Sequence, residues 1–196
     1  TMKAGGWTQF EFYRAGNFEL AGKTLGLVGM GNVGRSIVPK AKGFGMNLVY
    51  YSRHRLPLAE EAALGVTFAG LADLLRQADV VSLQVPLSPE TRGLIGQAEL
   101  ALMKPSAILV NTSRGGVVEE APLLDALQQG RLAGAGLDVF STEPLPADSP
   151  WRSLENAVLT PHMAGASQEA VRRTFGMAFE NVARVAAGQE PLNRVN

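Results

Sequence analysis

The stretch Gly29-Met30-Gly31-Asn32-Val33-Gly34 decides how this chain folds, because it is a glycine-rich turn between two regular elements. An apolar run at residues 25–28 comes directly before it and predicts a short buried strand. The segment that begins at Arg35 has the pattern of a helix. A strand, a turn with the spacing G-x-G-x-x-G and a helix, in this order, are typical of a dinucleotide-binding unit.

Each glycine of the turn has a physical purpose. Gly29 permits a tight turn at the end of the strand, and Gly31 lets a phosphate approach the backbone without meeting a Cβ atom. Gly34 lets the helix pack closely on the sheet. The free N–H groups and the positive dipole end of that helix favour a pyrophosphate, so we interpret the turn as a nucleotide site rather than as a packing feature alone.

The composition limits the class of protein. With 46% hydrophobic and 18% charged residues, the 196-residue chain is long and apolar enough for a sizeable core. Eighteen basic and eighteen acidic residues cancel, so nothing indicates nucleic acid or a membrane as a partner. The absence of cysteine excludes disulfides, thiol nucleophiles and cysteine-ligated metals, and no metal site is predicted. Without a long apolar run or a signal-peptide core, we expect a cytoplasmic protein.

From residue 23 onward, short apolar runs alternate with helical patterns. The strand candidates are residues 24–28, 47–51, 80–84, 108–111, 136–140 and 158–160, and the helix candidates are residues 33–42, 71–77, 119–129 and a short one near 99–102. This alternation predicts βαβ units with a parallel sheet covered on both faces. Because the crossovers of such sheets are right-handed, we expect an α/β, doubly wound, Rossmann-type sheet.

The two ends of the chain differ from this body. Residues 1–20 show no clean period and are rich in aromatic residues, so we expect an arm that packs on another surface. Residues 21–166 form the predicted dinucleotide-binding domain. Residues 167–196 are predicted to form a long amphipathic helix, with Gly188 at its end, and a short tail that packs on the same unit.

The end of the second predicted strand carries the second half of the nucleotide signature. In many dinucleotide sites an acidic residue there accepts hydrogen bonds from the adenosine ribose, but this chain has Ser52, Arg53, His54 and Arg55 instead. Arginine presents a planar, permanently charged fork to a 2′-phosphate, whereas a carboxylate would repel it. The loop therefore favours NADP(H) and leaves NAD(H) open, the plain alternative being a loop that is only exposed to water.

Open α/β sheets bind ligands beyond the carboxyl ends of their strands, so the residues that follow each strand are the candidates for chemistry. Val85 and Pro86 follow the strand at 80–84, and Thr112, Ser113 and Arg114 follow the strand at 108–111. Asp138 lies in the end of the strand at 136–140 with Glu143 just beyond it, and His162 and Gly165 follow the last strand. Singly, each has an ordinary structural explanation, such as a surface ion pair, a cap or a packed histidine. Together at one edge of the sheet, beside a nucleotide turn, they predict a site.

The pattern also makes chemical sense for reduction of a 2-oxo acid. Hydride transfer to a carbonyl requires a proton for the forming alkoxide, and histidine is suited to donate it at neutral pH. The chain has two histidines, and because His54 is assigned to the nucleotide loop, His162 is the candidate acid. Glu143 would hold the imidazole in place and keep it protonated, and Arg114 would bind a substrate carboxylate bidentately.

Four motifs in this order resemble the NAD(P)-dependent D-isomer-specific 2-hydroxyacid dehydrogenases. They are GKTLGLVGMGNVG (22–34), LVNTSRGGVV (109–118), GLDVFSTEPL (136–145) and LTPHMAG (159–165), and the resemblance extends over residues 20–196. It implies that Arg114 binds substrate, that Glu143 and His162 form the acid–base pair, and that Asp138 contacts the nicotinamide carboxamide. The loop at residues 50–55 looks most like the glyoxylate and hydroxypyruvate reductase branch. Phosphite dehydrogenases share much of the pattern.

The sequence departs from the pattern of this family in one respect. Members of the family have a separate substrate-binding domain before this region, whereas residues 1–20 are all that precedes it here, so we expect the nucleotide-binding part alone. The final helix would then expose part of its apolar face. The resemblance further implies a homodimer through the nucleotide-binding domain, to which Trp151 is expected to contribute. A dinucleotide-sensing module of the corepressor type is the alternative that is not an enzyme.

Overall fold

A computed structural model describes residues 18–194, and its centre is a seven-stranded sheet in which all strand pairs are parallel. The strands are β1 (Thr24–Val28), β2 (Asn47–Tyr51), β3 (Thr67–Phe68), β4 (Val80–Leu83), β5 (Ile108–Asn111), β6 (Gly134–Leu137) and β7 (Ala157–Leu159). Their spatial order is β3-β2-β1-β4-β5-β6-β7. The order reverses direction between β1 and β4, which confirms the predicted doubly wound, Rossmann-type sheet.

Helices connect the strands and cover both faces of the sheet. They are α1 (Asn32–Gly43), α2 (Leu58–Leu64), α3 (Leu71–Gln77), α4 (Gln97–Leu102), α5 (Glu120–Gln128) and α6 (Gln168–Ala186), with 3₁₀ turns at Gly115–Val117 and Pro150–Ser153. No helix among residues 18–194 is long and apolar enough to cross a membrane.

The alternation of side chains along β1 shows how the sheet separates two cores. Leu25 and Leu27 are buried in the cluster that includes Val38 of α1. Val28 belongs to the larger cluster on the other face, and a Cβ atom at Gly26 would collide with Leu74 of α3. Because successive side chains of a strand point to opposite faces, one short apolar strand serves both cores.

The predicted elements agree with the structure except at the least apolar segments. The helix predicted at residues 71–77 is α3, and the strand predicted at 108–111 is β5. The strand predicted at 136–140 is displaced, because β6 begins with small residues at Gly134 and ends at Leu137. Helix α2 and the two-residue strand β3 are absent from the sequence prediction. Neither has an apolar pattern long enough to stand out in the sequence.

The ends of the chain leave apolar side chains uncovered. No residue of α6 is buried by the rest of the described chain, and Phe175, Phe179 and Val182 are 60%, 71% and 69% exposed. The helix thus exposes its apolar face, as expected, and Gly188 follows its end with a positive φ of 73°. Most of the aromatic arm predicted at residues 1–20 lies outside the described residues.

The side chain of Trp151 is buried rather than exposed. Its side chain is only 3% exposed, and its ring centroid lies 6.4 Å from that of Phe140. The prediction that Trp151 contributes to a dimer surface is therefore wrong, because this aromatic ring fills the core of its own protomer.

Candidate active site and nucleotide cavity

The glycine turn has the geometry that close contact with a phosphate requires. Gly29 has a φ of 104°, and a Cβ atom there would collide with the carbonyl of Gln84. A Cβ atom at Gly34 would collide with the carbonyl oxygen of Gly29, so α1 can approach the turn only with glycine at this position. Gly31 faces open space and no side chain caps the helix that it precedes. The first N–H groups of α1 are thus available to an anion.

A cavity of about 590 Å³ extends from this turn along the carboxyl ends of β1, β2 and β4. Its lining includes these predicted cofactor residues: Gly29, Gly31, Ser52, Arg53, His54, Val85 and Pro86. Asn32 and Val33 lie in the exposed first turn of α1 beside it. The cavity has the size of ordinary small-molecule sites and joins an anion-binding turn to a basic loop, so the residues present fit a dinucleotide.

Sequence reasoning missed several residues of this cavity. Arg35, Gln84, Glu90 and Thr91 also line it. For Arg35, the available signal in the sequence is its position directly after the glycine motif. The guanidinium of Arg35 pairs with the carboxylate of Glu60 at 2.8 Å. Glu90 lies opposite the basic loop, where its carboxylate is 4.0 Å from the guanidinium of Arg53. A hydrogen bond from Ser88 is the main cause that lowers the pKa of Glu90, so this carboxylate is charged at neutral pH.

The basic loop after β2 divides its side chains between the cavity and the protein. Arg53 and His54 are exposed and line the cavity, whereas Arg55 does not line it. Arg55 forms two hydrogen bonds with the carboxylate of Glu61, at 2.8 and 2.9 Å. The hydroxyl of Ser52 donates to the carbonyl oxygen of His54, which closes the loop on itself.

The structure brings the predicted acid–base pair together. Nδ1 of His162 lies 2.8 Å from Oε2 of Glu143, and the backbone N–H of Phe140 donates to Oε1 of the same carboxylate at 2.8 Å. The hydrogen bond to His162 is the main cause that lowers the pKa of Glu143, followed by the bond from Phe140. The side chains of His162 and Glu143 are 50% and 35% exposed, which leaves Nε2 of the imidazole free to face a ligand.

Arg114 lies beside this pair because two loops meet closely. A Cβ atom at Gly115 would collide with the carbonyl of Phe140, so glycine at this position brings the loop after β5 against the loop after β6. Arg114, Glu143 and His162 then line one cavity of about 380 Å³. The cavity also contains Arg92, which sequence reasoning missed because Arg92 follows no strand directly.

Two buried polar residues, Asn111 and Ser113, shape the loop after β5. Asn111, at the end of β5 and 1% exposed, accepts hydrogen bonds from the N–H and hydroxyl of Ser113 and donates to the carbonyl of Arg114. The hydroxyl oxygen of Thr112 accepts a hydrogen bond of 3.3 Å from the side-chain amide of Gln84, a residue that lines the nucleotide cavity. Buried polar groups of this kind define a loop because leaving one unpaired is costly.

Asp138 organises the segment that carries His162. Its carboxylate is 3% exposed and accepts hydrogen bonds from the hydroxyl of Thr160 and from the N–H groups of Met163 and Ala164, the latter two at 2.9 Å. Burial raises the pKa of Asp138, but these hydrogen bonds outweigh it, and the pKa is lowered overall. His162 has a φ of 51°, a conformation that non-glycine residues adopt only when their surroundings hold them there. Gly165 ends this segment in open space.

Comparison with known proteins gives a consistent result. The family model for the "D-isomer specific 2-hydroxyacid dehydrogenase, NAD binding domain" matches residues 1–164. A glyoxylate reductase of Korarchaeum cryptofilum is 49% identical over 179 residues, covering 91% of this chain and 54% of the relative. A glyoxylate reductase of Thermococcus litoralis is 46% identical over 191 residues, covering 97% of this chain and 56% of the relative.

Among solved structures, a protein from Thermus thermophilus is similar over 100% of this chain and 60% of its own. The TM-score is 0.89 and the sequence identity is 42%. The chain thus spans about half the length of the curated relatives it matches.

Proposed function

The chain belongs to the D-isomer specific 2-hydroxyacid dehydrogenases and contains their NAD binding domain, and on that premise we propose that it is the cofactor-binding part of a reductase of small 2-oxo acids. The observation that carries this proposal is the pair Glu143–His162, 2.8 Å apart, in one cavity with Arg114. A protein that only sensed a dinucleotide would have no use for an acid–base pair beside an arginine. The trio therefore favours an enzyme over a corepressor-like module.

NADP(H) is the favoured cofactor, with NAD(H) as the alternative. Arg53 and His54 line the cavity at the end of β2, where a 2′-phosphate on the adenosine ribose would lie. No carboxylate of that loop opposes them. A dianionic phosphate beside an exposed guanidinium makes charge-assisted hydrogen bonds that a ribose hydroxyl cannot match. Glu90, across the cavity, weakens this preference and does not reverse it.

Each residue of the catalytic cavity has a task in the proposed reduction. When a reduced nicotinamide cofactor is bound by the glycine turn and the basic loop, it would supply the hydride. Arg114 binds the carboxylate of the 2-oxo acid and orients its carbonyl. His162, with Nδ1 held by Glu143, donates the proton on Nε2 to the carbonyl oxygen as it gains charge. The charge that develops on the imidazole during the reverse reaction is stabilised by Glu143.

Glyoxylate and hydroxypyruvate are the proposed substrates, because the similar proteins are glyoxylate reductases and because Arg92 and Arg114 supply guanidinium groups for a substrate carboxylate. Consumption of NADPH with each acid tests the proposal, and the absence of turnover with every 2-oxo acid would refute it. Phosphite with the oxidised cofactor is the comparison substrate. Faster turnover with phosphite than with either acid would indicate the phosphite dehydrogenase type instead.

A homodimer through the nucleotide-binding domain stays a prediction. Its support is the aromatic composition of residues 1–20, since Trp151 is buried in its own protomer. Sedimentation velocity decides between a species of 20.8 kDa and one of twice that mass. Location in the cytoplasm also stays a prediction.

A further inference from the structure

A buried carboxylate, Glu61 of α2, lies beneath the loop that the cofactor would meet, and the proposed reaction does not use it. Its side chain is 8% exposed. A carboxylate so placed persists only if it is well paired, because an isolated buried charge is strongly unfavourable. Its partners therefore show what it holds in place.

The first partner is Tyr50, which is fully buried at the carboxyl end of β2. The hydroxyl of Tyr50 donates a hydrogen bond to Oε1 of Glu61 at 2.6 Å and accepts one from the N–H of Leu56 at 2.8 Å. Residues 51 to 56 thus leave the sheet next to Tyr50 and return to the hydroxyl of the same residue. The two ends of the basic loop are fixed by one side chain.

The second partner is Arg55, whose guanidinium forms the bidentate pair with Glu61. The guanidinium also lies 5.3 Å from the ring of Phe68, which meets the ring of Tyr50 edge-on at 5.5 Å. Turning Arg55 toward the cavity would break both hydrogen bonds and leave Glu61 paired only with Tyr50. Arg55 therefore stays with the protein, and Arg53 and His54 remain as the basic side chains of the loop that line the cavity.

We propose that Glu61 is a positioning residue for the cofactor: together with Tyr50 and Arg55 it fixes the loop so that Arg53 and His54 hold the adenosine end of the nucleotide. This inference rests on the proposed function and deepens it, because it assigns Arg55 to support of the loop rather than to contact with the phosphate. It also places one determinant of cofactor affinity in a helix that does not line the cavity. The pKa of Glu61, lowered to about 2 mainly by Arg55 and then by Tyr50, keeps the carboxylate charged throughout the neutral range.

The test is direct titration of NADPH and NADH into the 196-residue chain, followed by the fluorescence of the bound nucleotide. The variants are Glu61→Gln and Arg55→Lys, and the second is chosen because the side chain of Arg55 is 52% exposed and its replacement leaves the core intact. Asp73→Asn is the matched control, an acid that pairs with Arg76 at 3.0 Å on the exposed side of α3. Circular dichroism confirms that each variant is folded.

In both variants, the affinity for the nucleotide that the wild type prefers is expected to fall about tenfold, a loss equivalent to ~1.4 kcal/mol. The control Asp73→Asn should leave this affinity unchanged. If folded Arg55→Lys and Glu61→Gln both bind NADPH and NADH within about twofold of the wild type, the positioning proposal is overturned. A wild type that prefers NADH would refute the proposed NADP(H) preference instead. The Glu61 proposal would then still require the loss of NADH affinity in both variants.

Discussion

The adenosine end and the catalytic end of the site are built in different ways. At the adenosine end, the loop after β2 rests on Glu61, a carboxylate that is 8% exposed and paired with both Tyr50 and Arg55. At the catalytic end, the reacting side chains themselves are open, with His162 50% exposed and Glu143 35% exposed. Buried partners fix the loops at both ends, through Glu61 at the adenosine end and Asp138 at the catalytic end.

The difference has a consequence for what each end does by itself. We expect the glycine turn and the basic loop of this chain to bind a nucleotide by themselves. Proton donation to a substrate depends on exclusion of water, which strengthens every charge in the site. An imidazole that is half exposed meets this condition only partly. We therefore expect this chain to bind cofactor well and to reduce a 2-oxo acid slowly.

The change with the largest expected effect is His162→Ala, which removes the proton donor. Reduction of glyoxylate in single-turnover experiments should slow by roughly 10²–10⁴-fold, the usual contribution of a general acid. NADPH affinity should stay within about twofold, because His162 lines the cavity that contains Arg114 and does not line the cavity along the glycine turn. The other histidine offers the matched comparison. His54→Ala should weaken NADPH binding and leave the rate at saturating NADPH unchanged, and the reverse pattern would contradict the division of the site.

Arg53→Asp tests the adenosine end. Replacing the exposed guanidinium by a carboxylate should weaken NADPH by about 10- to 100-fold and NADH by much less, because the new charge repels the 2′-phosphate alone. The measurement is a pair of titrations with the two nucleotides. If NADPH loses no affinity relative to NADH, the assignment of the loop to a 2′-phosphate is wrong.

Acidification should reduce the stability that the interaction of Glu143 with His162 gives to the folded protein. The pKa of Glu143 is lowered in the folded protein, mainly by the hydrogen bond with His162. A carboxyl group with a lowered pKa contributes stability that is present above its unfolded pKa of about 4.3 and is lost as pH falls through the folded value. The difference in Tm between the wild type and Glu143→Gln should therefore be positive at about pH 5 to 6 and shrink below about pH 4. A difference that grows on acidification would exclude this ion pair.

The smallest expected effect is that of Glu90→Gln, which acts on the adenosine end in the opposite sense to Arg53→Asp. Its carboxylate lies 4.0 Å from the guanidinium of Arg53 and competes with a phosphate for it. Because both side chains are exposed and screened by solvent, the gain in NADPH affinity should be only about two- to threefold, with NADH unchanged. Weaker NADPH binding in this variant would show that Glu90 supports the loop.

The same two ends differ in how far the sequence predicts them. The glycine turn, Arg114, Asp138, Glu143 and His162 are predictable because each lies at or shortly after the end of a predicted strand, and the carboxyl ends of parallel strands share an edge. The position of Arg55 is not predictable, because its partner Glu61 lies in α2, a seven-residue helix with no clear periodicity. The left-handed backbone of His162 and the burial of Trp151 are hidden for a similar reason. Each depends on contacts with residues distant in the sequence, such as Asp138 and Phe140.

The most direct test of the account combines both ends in one sample. NADPH is titrated into the chain until binding saturates, and glyoxylate is then added while the NADPH absorbance is followed. We predict saturable binding that Arg53→Asp weakens, then slow oxidation of NADPH that His162→Ala slows further by roughly 10²–10⁴-fold without loss of binding. Saturable binding followed by oxidation that is unaffected by His162→Ala would contradict it.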